Sequence, residues 1–397
     1  MTQIGTQLSA SIDTNSTIED LDFARPEKRL PPFDNRAEDL QLLATLMDWL
    51  SDRTEHASFQ PERLDQQFES TNFPHKFKRI SLYLYAPGQS RILITRPAKT
   101  RQLSFGKVFS RLLRHPRRKK LTAGPFHLQM DFVVTSPQPV DYLAIGMVQR
   151  EERHFELGVD GLLISGPDKR VHLFSPGDAY VRSIMGMKQL RRFLAQVHGQ
   201  EYLERSSFAR FQTLSYLSSD YGWRSLYRGL PVRGELTRAD MEESVLLAID
   251  HIKRTQEPDG RFLYYYDAAS DSRRDHEHPE RDPKLNPYYN ILRHSGGGLT
   301  CLFYEKCFHH QDARPQARKA IEYLISQFRF QEYAGREGAY VYSERKSKLG
   351  GAGLGLYLIA EYELVSGDTR YRAYADKLAW HLLHQITESG EFLYYNT

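Results

Sequence analysis

Gln256-Glu257-Pro258-Asp259-Gly260-Arg261-Phe262-Leu263-Tyr264-Tyr265 is the stretch on which the reading of the fold turns. A Pro-Asp-Gly turn leads straight into an aromatic run, the pattern of a chain that ends a helix and continues extended. The same order, a glycine and then aromatics, returns as Gly338-Ala339-Tyr340-Val341-Tyr342 and as Ser389-Gly390-Glu391-Phe392-Leu393-Tyr394-Tyr395. Each copy follows an amphipathic helical pattern. The first apolar stripe is Met241, Val245, Ala248, Ile249 and Ile252, behind a Thr237–Asp240 capping box. The second is Ala317, Ile321, Leu324, Ile325 and Phe328, and the third is Tyr374, Leu378, Leu382 and Ile386. A unit that persists while its loops vary marks a repeat architecture.

Two further helical patterns differ. Leu299 to Phe308 follows Gly296-Gly297-Gly298, and Leu354 to Leu364 follows Gly350-Gly351-Ala352-Gly353. Both are apolar nearly all round, so both are expected to be buried on most sides. One-sided helices alternating with all-round apolar ones predict outer helices laid over inner ones. Residues 237–397 are therefore expected to be all-α, an incomplete α/α-hairpin toroid whose inner helices start at glycine-rich turns. The arc stops at Thr397 before a ring closes, so the chain is expected to be a truncated fragment with an uncapped apolar edge that promotes self-association.

Upstream, residues 1–35 are polar and rich in Ser, Thr, Asp and Pro, and read as a disordered lead. Residues 36–236 are expected to form an α+β domain. Leu40, Leu43, Leu46 and Leu50 place an amphipathic helix over 36–51. Strands are expected around Ile80–Leu84, Arg91–Thr95, Phe126–Thr135 and Phe208–Leu217. Gly166-Pro167-Asp168 joins Phe155–Ile164 to Arg170–Phe174 as a hairpin. A helix is expected over 186–198.

A net charge of +4 over 397 residues gives no general affinity for polyanions. Eleven Lys or Arg lie between Arg91 and Lys120 without one Asp or Glu. Without an aromatic stacking platform this run reads as a solvated basic loop rather than a nucleic-acid interface. Cys301 and Cys307 provide no disulfide framework, and a reducing, cytoplasmic setting is expected. No apolar run is long enough to span a membrane, and no signal peptide is evident.

The Asp259-Gly260-Arg261-Phe262-Leu263-Tyr264-Tyr265 run, Tyr289-Asn290-Ile291-Leu292-Arg293-His294-Ser295-Gly296 and Leu349-Gly350-Gly351-Ala352-Gly353-Leu354-Gly355 together resemble the six-hairpin, α/α-toroid superfamily of glycosidase-like and sugar-epimerase-like proteins. The resemblance implies acidic residues acting as general acid or base, or histidines acting in epimerisation, at the mouths of inner helices. In the first half, Phe155-Glu156-Leu157-Gly158-Val159-Asp160-Gly161-Leu162-Leu163-Ile164 resembles a stretch of the AMME-chromosomal-region protein family. That family's cysteine-bearing motif is absent, and no functional residue is carried over from it.

The segment Asn286–Gly298 carries the candidate site. His294 can transfer a proton near neutral pH, and Arg293 can clamp a carboxylate. Asn290, Tyr289 and Tyr288 are candidate substrate-binding residues, the tyrosines as stacking faces for sugar rings. Asp259 and Asp267 are the candidate catalytic carboxylates, although a turn cap and a loop residue are their plainer readings. Asp275-His276-Glu277-His278 lacks metal-ligand spacing and reads as a solvated loop, so no metal is expected. Gly350–Gly355 lacks a surrounding βαβ unit and reads as close packing, so no dinucleotide or other cofactor is expected. The expected function is that of a carbohydrate-active protein acting on a glycan, by hydrolysis or epimerisation. The alternative is a non-catalytic regulator or scaffold with a ligand-binding toroid.

Overall fold

The computed structural model describes residues 35–51, 59–98, 104–142, 155–232 and 236–394. The expected disordered lead lies, apart from Asn35, outside the described residues. The first half runs α1 (Ala37–Leu50), α2 (Pro61–Glu69), β1 (Arg79–Ala86), β2 (Gln89–Pro97), α3 (Phe105–Leu113), α4 (Arg118–Leu121), β3 (His127–Val133), β4 (Gln138–Pro139), β5 (Gly161–Ser165), β6 (Val171–Phe174), α5 (Asp178–Val181), α6 (Met187–His198), α7 (Gln200–Glu204), β7 (Ser207–Phe211), β8 (Thr213–Ser219), β9 (Gly222–Tyr227) and β10 (Leu230–Pro231). The second half runs α8 (Arg238–Thr255), α9 (Ile291–Phe308), α10 (Arg314–Ser326), β11 (Phe328–Tyr333), β12 (Arg336–Ser343), β13 (Lys346–Ser347), α11 (Leu349–Ser366) and α12 (Arg372–His384).

Two antiparallel sheets build the first half. Six strands pair in the order β10-β9-β8-β3-β1-β2, and four in the order β4-β7-β5-β6. Helices α1 to α3 close one core around Leu46, Phe105, Phe109, Phe132 and Trp223. Helices α5 to α7 close a second around Leu162, Ile164, Phe174, Leu190 and Leu194. The single strand expected over Phe208–Leu217 is two strands, because the chain leaves one sheet and enters the other at Gln212. The basic run is not uniformly solvated. Arg91 is buried and ion-paired with Asp178. Arg118 is buried and donates to the Leu113 carbonyl at 2.8 Å and to the Leu50 carbonyl. A guanidinium removed from water must find such partners.

The second half is not the all-α toroid expected from the sequence. It contains a three-stranded antiparallel sheet, β11-β12-β13, inserted between α10 and α11. The second aromatic run is the middle strand of that sheet. Ala339 and Val341 are buried on one face while Tyr342 is exposed, the period of two that a half-buried strand needs. The partner strand was hidden because Phe328, its first residue, continues the apolar stripe of α10. A two-residue turn at Ala334-Gly335, both at positive φ, closes the hairpin. Around this insert, α9 packs on α10 and α11, and α11 on α12. Neither α9 nor α11 is buried all round, since Phe303, Tyr357 and Leu364 are exposed. No helix among the described residues is long and apolar enough to cross a membrane.

Candidate functional site

The chain leaving α8 turns at Pro258-Asp259-Gly260. Gly260 has φ +96°, and a Cβ there would lie 2.2 Å from the Lys319 carbonyl oxygen of α10. Glycine is thus required by conformation and by space together. Asp259 serves this turn: its carboxylate accepts from the Arg261 N–H at 3.1 Å and from the Arg261 side chain at 2.8 Å. It is absent from the cleft walls described below.

The aromatic run Phe262–Tyr265 then crosses toward the first half, where the segment 266–278 is tied down. The Arg91 N–H donates to the Ala269 carbonyl at 3.1 Å, and the Ala268 N–H to the Val181 carbonyl at 2.8 Å. Asp267 is 1% exposed and pairs with Arg182 and His276, both at 3.1 Å. Burial works to raise its pKa, but these cationic and hydrogen-bonding partners outweigh burial and bring it down to about 2. A general acid needs a proton at working pH, so Asp267 is a brace of the junction and not the acid the sequence suggested.

At the start of α9, Asn290 accepts from the N–H groups of Leu292 and Arg293, at 3.0 and 3.4 Å, and so caps the helix. His294 is 1% exposed. Its Nδ1 accepts from the Tyr289 hydroxyl at 2.7 Å, and its Nε2–H donates to the Ala320 carbonyl at 2.8 Å. Burial pushes its pKa down to about 4. With no access and no open nitrogen, His294 packs α9 against α10, and the proton-transfer role expected of it has no geometric support. Arg293 is exposed; its guanidinium lies 5.5 Å from the ring centre of Tyr264, a residue of the first cleft described below, but Arg293 itself is not among the lining residues.

What the structure does assemble is a pair of adjoining clefts. The first, about 320 Å³, is lined by Arg261, Tyr264, Tyr265, Arg273, Arg281 and Tyr288 among others. The second, about 200 Å³, is lined by His278, Arg281, Tyr288, Asn290, Glu344, Lys346 and Lys348 among others. Tyr288, Tyr289 and Arg281 belong to both walls. Of the sequence candidates, Tyr288, Tyr289 and Asn290 are therefore brought together, while His294, Asp259, Asp267 and Arg293 are not. A wider hollow, about 860 Å³, lies in the first half, lined by Glu62, Asp65, Glu69, Lys76, Lys78 and Lys107 together with Phe68, Phe77 and Phe105.

The carboxylates of the twin clefts are all engaged. Glu257 pairs with Arg273, and Glu344 takes Arg281 through two bonds at 3.0 and 2.6 Å. Asp275 receives His278 Nδ1 at 2.7 Å. Lys284, Lys346 and Lys348 have no carboxylate within ion-pair distance among the described residues, so the walls carry an excess of positive charge. Glu344 and Arg345 both sit at positive φ in the two-residue turn between β12 and β13. That conformation costs each about 1 kcal/mol, and it aims Glu344 at Arg281 and at the Tyr289 N–H. Burial raises the Tyr265 hydroxyl well above its usual pKa, with the Asp275 charge adding to it, so it stays protonated and donates to Glu277 at 3.0 Å.

Sequence reasoning missed Arg281, Glu344, Lys346, Lys348 and His278. The loop Asp275–His278 is not solvated as expected: Asp275 and His276 are buried. The available signal was Asp275-x-x-His278, a spacing that lets the two side chains meet across one turn. Among the described residues no group of three or more His, Cys, Asp or Glu converges as metal ligands.

No protein-family model matches the chain, and no curated protein matches it. Among solved structures it is similar to that of an uncharacterized protein, PH0010 from Pyrococcus horikoshii, with 11% identity and a TM-score of 0.34 over 48% of this chain and 97% of that one.

Proposed function

We propose that the protein is carbohydrate-active and that its twin clefts take an acidic glycan. The observation that carries this reading is the shared wall: Tyr288 with the Arg281 guanidinium 5.5 Å from its ring centre, flanked by Tyr264 and Tyr265 and rimmed by lysines. Tyrosine hydroxyls can bond sugar hydroxyls, and Arg and Lys suit carboxylates. The resemblance of the aromatic repeat to glycosidase-like and epimerase-like sequences points the same way. The buried thiol Cys301 and the exposed thiol Cys307 fit a reducing, cytoplasmic setting.

Hydrolysis by paired carboxylates asks for two carboxyl groups facing a scissile bond. Here Glu257, Asp275 and Glu344 are each held by a cationic or imidazole partner, which favours binding or proton transfer over that mechanism. Calorimetric titration with uronate oligosaccharides and their neutral counterparts tests the reading. Acidic ligands should bind at least about tenfold more tightly, the size of one charge-assisted contact, and lose that margin in Arg281→Ala and at high salt. Equal affinity for neutral and acidic ligands, or no binding by either, would defeat it.

A further inference from the structure

We propose that His278, held by Asp275, is the proton-transferring residue of the second cleft and acts on the carbon next to the ligand's own carboxylate. This assignment rests on the acidic-glycan reading of the clefts. His278 lines the second cleft, and no other histidine among the described residues lines either one. Its Nδ1 lies 2.7 Å from Asp275 Oδ2. An ionised carboxylate only accepts, so Nδ1 carries the hydrogen and Nε2 keeps its lone pair. The other oxygen, Asp275 Oδ1, accepts from the N–H groups of Glu277 at 2.7 Å and His278 at 3.1 Å, which fixes the carboxylate. The imidazole plane is fixed as well, stacked on Tyr288 at 4.1 Å and 17°. No protein group among the described residues hydrogen-bonds its Nε2. His294 is the contrast, with both nitrogens consumed by Tyr289 and Ala320.

The step needs no further reagent. Nε2 takes the hydrogen of the C–H bond beside the ligand carboxylate, and the bonding pair moves into that carboxylate to give an enediolate. The new imidazolium faces Asp275, and the added negative charge faces Lys346 and Lys348 on the same wall. Return of the proton from Nε2 to the same carbon restores the ligand, and exchange of that proton with solvent while it is on Nε2 replaces the ligand's hydrogen. Asp275 is a positioning residue: it sets the tautomer and does not touch the ligand.

The test incubates the full chain in heavy water with a uronate oligosaccharide, followed by proton NMR and mass spectrometry. Wild type should exchange the hydrogen next to the carboxylate for deuterium. His278→Gln should slow exchange by about 100-fold or more while leaving affinity within about threefold. Asp275→Asn should slow it about 10-fold or more and move the imidazole to the other tautomer in nitrogen-15 spectra, with Asp275→Glu restoring both in part. Binding without His278-dependent exchange overturns the dyad and leaves the binding reading standing. Absence of uronate binding removes both. Should the variants fail to fold, the wild-type spectrum decides: a hydrogen on Nε2 of neutral His278 overturns the assignment.

Discussion

His294 and Asp131 show how burial, acting on single residues, gives opposite pH responses. His294 is neutral in the folded state, with a pKa lowered by burial to about 4, against 6.5 for a free imidazole. As pH falls through 6.5 the unfolded chain takes up a proton that the folded chain refuses, so stability from this group is present above that pH and drains away toward pH 4. His294→Ala should cost roughly 2–4 kcal/mol in urea unfolding, because it strands the Tyr289 hydroxyl and the Ala320 carbonyl. It should also flatten the loss of stability below pH 6.5, and should leave ligand affinity per folded molecule unchanged. An unaltered unfolding midpoint would refute the packing role. Asp131, on β3 beneath the first core, runs the other way. Burial raises its carboxyl to about 6 from 3.8, and its Oδ2 has no hydrogen-bond partner among the described residues. Its folded form prefers the proton, so its contribution is present below pH 3.8 and is lost as pH rises through 6. Asp131→Asn should therefore stabilise the protein near neutral pH by roughly 2–3 kcal/mol and change little at pH 4. A destabilised variant at pH 7 would show that the charged form is needed at that site.

At the scale of elements, the glycine that opens the aromatic run is the sharpest constraint. Gly260→Ala drives a Cβ into the Lys319 carbonyl and puts alanine at φ +96°. We expect a loss of more than about 2 kcal/mol and weaker ligand binding, since Arg261–Tyr265 would lift from α10. A change within about 0.5 kcal/mol on thermal unfolding would show that the turn relaxes freely. The run's repetition was legible in the glycine-then-aromatics order, although only Gly260 and Gly390 sit at positive-φ turns and Gly338 lies inside β12. The strand character of the second copy was also legible, in Ala339 and Val341 alternating with tyrosines. Its partner β11 was not, because Phe328 fits a helical stripe and a strand face equally well, and a short apolar run alone does not separate the two. The candidate site was legible only in part. Tyr288, Tyr289 and Asn290 stood out by their place before a helix. Glu344 and the lysines after it come from a turn some fifty residues downstream in Glu344–Lys348, and only the inserted sheet brings that turn over the cleft.

For the whole molecule, the junction decides how the halves behave together. Asp267, Arg182 and His276 form a buried charge cluster where the 266–278 segment meets the first half. Asp267→Asn leaves Arg182 with an uncompensated charge, a change that costs roughly 3–5 kcal/mol for a buried pair. Calorimetry should then resolve separate melting of the two halves, and limited proteolysis should cut within 266–278. A single unshifted transition would show that the halves are held elsewhere. Because its carboxyl is depressed to about 2, the Asp267 contribution is present above pH 3.8 and is lost as pH falls toward 2. Sequence periodicity could mark the change from mixed to helical pattern near Thr237, but no periodicity encodes a contact between Asp267 and Arg182, residues 85 apart. The strap that carries this cluster is also the strap that carries Asp275 and His278 to the cleft. Occupancy and junction are therefore thermodynamically reciprocal: whatever free energy a bound ligand lends to the strap's ordered form is lent equally to the docking of the halves, and a signal that prises the halves apart must expel the ligand by the same factor.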